Sequence, residues 1–172
     1  MKEGRVYPAV IDGYASGSEG VARIEGMAVF VKGALRGERA EVFLEHIGHN
    51  AAWGRIETLV EPSPARIEPD CPYYGTCGGC QFRHMAYEEE LEAKRQRVED
   101  ALRRIGGADI PVSVIHGAKS TQRYRNKVQF PVSDGSIGYY QGRTHQVVDI
   151  ADCLLQPAMD TVCRAAVKEW MG

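Results

Sequence analysis

Three cysteines within ten residues, Cys71, Cys77 and Cys80, restrict what this chain can become more than any other feature. Two thiolates three residues apart can bite one metal centre, and Gly75, Gly78 and Gly79 let the backbone wrap it closely. Clustering this tight in a reduced chain points to metal binding rather than to a disulfide framework, and the total of five cysteines is odd. Unliganded thiols at this density would oxidise readily. A closed site needs a fourth ligand, and two residues offer one. Cys153 could reach back from a distant strand end, or His84, four residues after Cys80, could complete a Cys3His zinc site. Spacing alone leaves zinc and an iron–sulfur cluster both open. Cys163, on a helical pattern, is expected to be a small buried hydrophobe.

The cysteines sit between two stretches of strand pattern. Residues 6–11, 21–24, 27–31, 39–47 and 51–60 read as short strands with Gly-rich corners, and Glu25-Gly26 offers a tight hairpin turn. Five such strands in some sixty residues suit a small closed barrel of the OB type. Pro62, Pro64 and Pro69 mark a linker. A helix is predicted over 86–105, with Tyr87, Leu91, Val98, Leu102 and Ile105 on its apolar face and Gly106-Gly107 as the stop. Its acidic start, Glu88 to Glu90 with Glu92, and its basic end, Arg103-Arg104, complement the helix dipole and read as a solvated face. Strands are then predicted at 112–115, 127–132, 137–141 and 146–150, with turns at Asp134-Gly135 and Gln141-Gly142, and a helix at 158–171. The expected division is 1–62 for the barrel, 63–110 for the cysteine segment and helix, and 111–172 for a central β region that is incomplete at its C-terminus. The fold class is mainly β with α, an OB-like barrel followed by a small α+β domain.

Within 116–146, Lys119, Arg123, Arg125, Lys127 and Arg143 face the single acid Asp134, a local charge of +4 in a chain of net −2. Tyr124, Phe130, Tyr139 and Tyr140 are interleaved with them. Cations that meet phosphates and flat rings that stack on unpaired bases are what single-stranded RNA binding requires. A hairpin with its rings inward and its cations in water would give the same pattern. Lys119, Arg123, Tyr124, Arg125, Lys127, Phe130 and Arg143 are the candidate RNA contacts, with Arg125 and Lys127 foremost. The overall charge of −2 argues against a chain that coats nucleic acid without selection. With 44% hydrophobic and 26% charged residues a packed core is expected. No run approaches the ~18 apolar residues of a membrane span, so the cytoplasm is the expected compartment; a monomer is expected, though no residue pattern sets the oligomeric state.

The run Cys71-Pro-Tyr-Tyr-Gly-Thr-Cys77-Gly-Gly-Cys80-Gln-Phe-Arg-His, the stretch Tyr-Arg-Asn-Lys-Val-Gln-Phe-Pro at 124–131, and Val148-Asp-Ile-Ala-Asp-Cys153-Leu-Leu-Gln-Pro together resemble the RumA-type 23S ribosomal RNA uracil-5-methyltransferases. The stretch from Gly20 to Glu38 resembles their TRAM domain, an OB-like RNA-binding barrel. The resemblance implies a [4Fe–4S] cluster on Cys71, Cys77, Cys80 and Cys153, which decides against His84, and a grip on 23S rRNA shared by the barrel and the central β region. It also implies a parent chemistry in which a Cys thiolate adds to C6 of a uracil, C5 takes methyl from S-adenosylmethionine, and a base removes the C5 proton. Such chemistry requires the target base to leave its stack.

The family's methyl-donor domain lies C-terminal to this region. No Gly-rich cofactor loop follows a strand here, and neither Cys163 nor any His matches a catalytic motif. The expectation is therefore that the Rossmann-like S-adenosylmethionine domain is missing, that the chain carries no catalytic or S-adenosylmethionine-binding residue, and that alone it transfers no methyl. Two rivals are a stand-alone RNA-binding metal module and a fragment of a TRAM-containing radical S-adenosylmethionine enzyme. The second uses Cys-x3-Cys-x2-Cys and carries TRAM at the other end, and both features count against it.

Overall fold

The computed structural model describes residues 1–172, which form two compact units, 1–68 with 84–115 and 69–83 with 116–172. The units are interleaved in sequence, so the segment 63–110 contributes to both. No helix is long and apolar enough to cross a membrane.

The first unit is built on five strands: β1 (Val6–Tyr14), β2 (Gly20–Ile24), β3 (Met27–Lys32), β4 (Arg39–Ile47) and β5 (Ala51–Glu61). They close into a barrel in the order β1-β2-β3-β5-β4, antiparallel except for the β3–β5 pair. Closure removes every sheet edge, the geometry of an OB barrel. Strict alternation drives it. Val29 and Val31 of β3, Val42 and Leu44 of β4, and Ala52 of β5 are fully buried while their neighbours face out. Each buried Val or Leu contributes about 1.5–3 kcal/mol. The β2–β3 hairpin turns at Glu25 and Gly26, both at positive φ (49° and 83°), the I′ geometry that Gly makes inexpensive.

One end of the barrel is held by a buried ion pair. Glu38 is wholly buried; its carboxylate accepts Nε (2.5 Å) and Nη2 (2.7 Å) of Arg66 and the backbone N–H groups of Leu35 (2.8 Å) and Ser63 (3.2 Å). Burial would raise the Glu38 carboxyl, but Arg66 and these two amides outweigh it and hold it below the usual range. Arg66 also donates to the Gly33 carbonyl at 2.7 Å, so the proline linker is fastened to the barrel.

The helix α1 (Tyr87–Arg104) belongs to this unit and docks through polar groups, contrary to the apolar face expected for it. Of its side chains only Ala93 is buried, whereas Val98 and Ile105 are 50% and 87% exposed. Nor is the acidic start wholly solvated. Glu89 accepts from Tyr14 Oη (2.7 Å) and Arg36 Nη2 (3.0 Å), and burial followed by this carboxylate pushes the Tyr14 hydroxyl pKa up.

The second unit holds a three-stranded meander, β6 (Val132–Ser133), β7 (Ser136–Tyr140) and β8 (Val147–Asp149), followed by α2 (Met159–Met171). The strand predicted at 112–115 does not form, and that at 127–132 survives only as β6. Residues 123–125 instead lie against the segment after Cys153, with Arg123 N–H bonded to Leu154 O (2.8 Å) and Arg125 N–H to Leu155 O (2.9 Å). The Asp134-Gly135 turn forms as predicted, but the β7–β8 loop takes its left-handed residue at Arg143 rather than Gly142. The α2 helix is anchored by a buried Arg164, which bonds Asp160 and the Ile150 carbonyl and lies 5.1 Å over the Phe130 ring. Cys163 is exposed, which corrects its expected burial; on α2 the inward position belongs to Arg164.

Removing Arg66 leaves the buried Glu38 carboxylate with only its two amide donors. Arg66→Ala is predicted to lower unfolding free energy by about 3 kcal/mol, read as a drop in the urea midpoint; an unchanged midpoint contradicts the assignment.

Candidate metal centre

All four cysteines of the expected set line one pocket of the second unit. Cys71, Cys77 and Cys80 come from a compact loop. Within it Tyr74 N–H bonds Cys71 O (3.1 Å), Cys77 N–H bonds Tyr73 O (2.9 Å), and Gly75 takes a φ of 88°. The loop then continues the sheet, since Gly78 N–H donates to Tyr140 O at 2.9 Å. A Cβ at Gly78 would lie 2.8 Å from that carbonyl, and one at Gly79 would press on the Tyr139 ring at 3.0 Å. The two glycines are therefore what let the thiols reach the wall of the sheet, and Gly79 N–H points at Cys77 Sγ, 3.3 Å away.

Cys153 arrives from the other end of the unit, carried by the turn after β8, and is held there by three separate groups. Tyr73 Oη accepts the Ala151 N–H at 2.9 Å. Arg123 forks onto Asp152 (2.8 and 2.7 Å) and also donates to the carbonyls of Cys153 (3.2 Å) and Gln156 (3.0 Å). Gln156, almost fully buried, donates its backbone N–H to Cys153 O (2.9 Å) and its side-chain amide to Tyr139 Oη (3.3 Å). Ile150, Cys153 and Leu155 form the small core beneath, packed with Tyr73, Cys77, Cys80, Phe130, Tyr139 and Val148.

The pocket wall is largely apolar apart from Arg83 and Asp152. Burial pushes the Cys80 thiol up to about 11 despite the nearby Arg83 charge, and burial also raises Cys77 against the pull of the Gly79 amide. Arg83 is itself clamped by Asp70 (2.7 and 2.9 Å), which Gln122 also contacts at 2.6 Å. No three His, Cys, Asp or Glu side chains stand close enough together to hold one metal ion. The donor chemistry is four soft sulfurs in an apolar wall, which suits a thiolate-ligated iron–sulfur centre. His84 is not part of the lining. It is buried in the first unit, where desolvation and then the Arg66 charge lower its pKa to about 4.

The basic candidates divide by use. Arg123 clasps the Cys153 turn, Arg125 donates to Tyr139 Oη at 3.2 Å, and Phe130 meets the Tyr139 ring edge-on at 5.0 Å. Lys119, Tyr124, Lys127 and Arg143 are exposed. The holders of the site, Asp70, Arg83, Asp152 and Gln156, were not singled out from sequence. Their sequence signal was position alone: Asp70 and Asp152 each directly precede a cysteine of the set, and Arg83, Asp152 and Gln156 lie within the runs that carry the resemblance.

Residues 1–56 match the TRAM domain. An uncharacterized RNA methyltransferase of Clostridium tetani is 38% identical over 175 residues, covering 99% of this chain and 38% of that protein. One from Bacillus cereus is 42% identical over 142 residues, covering 80% of this chain and 31% of its own length. The chain therefore spans less than half the length of these relatives. Among solved structures, the Pyrococcus abyssi tRNA (uracil-54, C5)-methyltransferase, in complex with S-adenosyl-L-homocysteine, superposes with a TM-score of 0.66 at 23% identity over 95% of this chain and 36% of that one. That is a likeness of fold.

His84 supplies a pH signature. Between about pH 6.5 and pH 4 the unfolded chain takes up a proton that folded His84 refuses. Its contribution to stability is thus full above 6.5 and lost as the pH falls towards 4. Difference curves of urea stability between wild type and His84→Gln should slope across that window; parallel curves would contradict the burial of a neutral imidazole.

Proposed function

We propose that these residues are the RNA-binding and [4Fe–4S]-binding part of an S-adenosylmethionine-dependent RNA uracil-C5 methyltransferase, with 23S rRNA as the substrate class. The observation that carries the reading is the convergence of Cys71, Cys77, Cys80 and Cys153 on one pocket, in a chain whose barrel matches the TRAM domain. Relatives named RNA methyltransferases along nearly the whole chain support it.

Cys71, Cys77, Cys80 and Cys153 would hold the cluster. When bound it supplies a covalent cross-link of iron–sulfur bonds between the cysteine loop and the turn after β8. The remaining work falls to the chain's own groups. Arg123 and Tyr73 keep Cys153 facing the loop, Gly78 and Gly79 allow the loop onto the sheet, and of the four cysteines only Cys153 is buried. Lys119, Tyr124, Lys127 and Arg143 stand exposed beside this core as the RNA-facing set, while Arg123, Arg125 and Phe130 hold the scaffold under them. Methyl transfer and the choice of uridine are proposals for the whole protein.

Anaerobic purification followed by iron and sulfide analysis tests the cluster. About four of each per chain, with a brown visible spectrum, is the expected result, and Cys153→Ser should lose most of it. A colourless protein that holds zinc would overturn the reading. For the RNA surface, Lys127→Gln should weaken binding to single-stranded RNA and reduce the slope of log affinity against log salt by about 0.7. Unaltered affinity and slope would return the segment to a solvated hairpin.

A further inference from the structure

The pocket that gathers the four cysteines is lined by a single cation, Arg83, and a single carboxylate, Asp152. The carboxylate is answered from outside the lining, since Arg123 forks onto it and Thr161 Oγ1 donates to it at 3.1 Å. Arg83 is answered from outside as well. Its partner Asp70 accepts from Nε (2.7 Å) and Nη2 (2.9 Å) and is not one of the lining residues. The third nitrogen, Nη1, makes no hydrogen bond.

Shelter decides which charge of this pair the sulfurs feel. The Arg83 side chain is 13% exposed and that of Asp70 48%, so water screens the carboxylate more than the guanidinium. Two contacts keep the cation in place. Tyr74 Oη donates to the Gln81 carbonyl at 3.0 Å, which fixes the backbone between Cys80 and Arg83, and Gln122 Nε2 holds Asp70 at 2.6 Å. Burial works against the Arg83 charge, yet Asp70 and then Cys80 and Cys71 hold its pKa above the usual value. Of the charged groups that act on the Cys80 thiol, Arg83 alone favours the thiolate.

A thiolate-ligated iron–sulfur centre becomes more negative with each electron it takes. Its potential follows the surrounding charge, the hydrogen bonds offered to sulfur and the exposure to water. A fixed cation nearby therefore stabilises the reduced form more than the oxidised one. We propose that Arg83 raises the reduction potential of the centre held by Cys71, Cys77, Cys80 and Cys153, through its sheltered charge and the N–H groups left on Nη1. That role deepens the cluster reading above and presupposes it. One electron passes from a low-potential one-electron reductant to the centre. No bond at Arg83 forms or breaks, and the guanidinium keeps its protons.

Anaerobic titration of the iron-loaded chain with dithionite and mediators, followed by visible bleaching and by the paramagnetic signal of the reduced centre, reads the midpoint potential. Arg83→Gln should keep about four iron and four sulfide per chain and shift the midpoint to more negative potential. A tenfold loss in the reduction equilibrium is expected, about 59 mV for one electron. Arg83→Lys, which keeps the charge, should restore most of the shift. Asp70→Asn, which removes the screened counter-charge and keeps its shape, should move the midpoint in the opposite direction. Arg83 acting only as a structural clamp would not give opposite signs for the two partners. A loaded Arg83→Gln protein with the wild-type midpoint would overturn the assignment and leave the cluster reading intact. If Arg83→Gln fails to hold a cluster, an Asp70→Asn midpoint that is unmoved or lowered overturns it instead. A wild-type chain without iron and sulfide would overturn both.

Discussion

The second unit depends on keeping one turn in place, that which carries Cys153 to the cysteine loop. Residues 71–80 and 153 are separated by more than seventy positions of chain, so closing them onto one pocket costs conformational entropy that the local sequence does not repay. The structure offsets this with directional groups. Arg123 spans Asp152 and two carbonyls of the turn, Tyr73 reaches from the cysteine loop to Ala151, and Gln156 closes the turn on itself and onto Tyr139. With Ile150 and Leu155 as the only other members of the buried cluster, apolar packing alone is thin. A metal cross-link through four thiolates is what such a small core would gain most from.

The first unit solves a different problem with ordinary means. Its barrel closes over a dense aliphatic interior, so it needs no metal. The cost falls at the barrel end, where Glu38 is wholly buried and would be untenable without Arg66 and two backbone donors. The same pair fastens the proline linker, so the chain leaves the barrel along a fixed path.

The parts legible in sequence were those governed by period and by spacing. Strict alternation put all five barrel strands within a few residues of their observed ends, and Glu25-Gly26 marked the tightest turn. The cysteine spacing picked out three residues of the pocket, and resemblance supplied Cys153 as the fourth. What failed rested on composition. The strands at 112–115 and 127–132 looked apolar enough, but the backbone at 123–125 pairs with an irregular turn. Cys163 was given an inward place on α2 that belongs to Arg164, because a buried arginine with a carboxylate, a carbonyl and a ring to meet leaves no trace in hydropathy. The acidic start of α1 likewise conceals a docking contact, as only the fold brings Tyr14 and Arg36 to Glu89. Nor does basic composition separate a scaffold arginine such as Arg123 from an exposed lysine such as Lys127.

The proposed function turns on whether the four thiolates share one iron–sulfur centre. Diffraction from anaerobically grown crystals at wavelengths on either side of the iron absorption edge tests it most directly. One compact iron peak in the pocket is expected, bonded by the sulfurs of Cys71, Cys77, Cys80 and Cys153 alike. A peak bonded by the first three with Cys153 turned away, or a signal at the zinc edge instead, would contradict it.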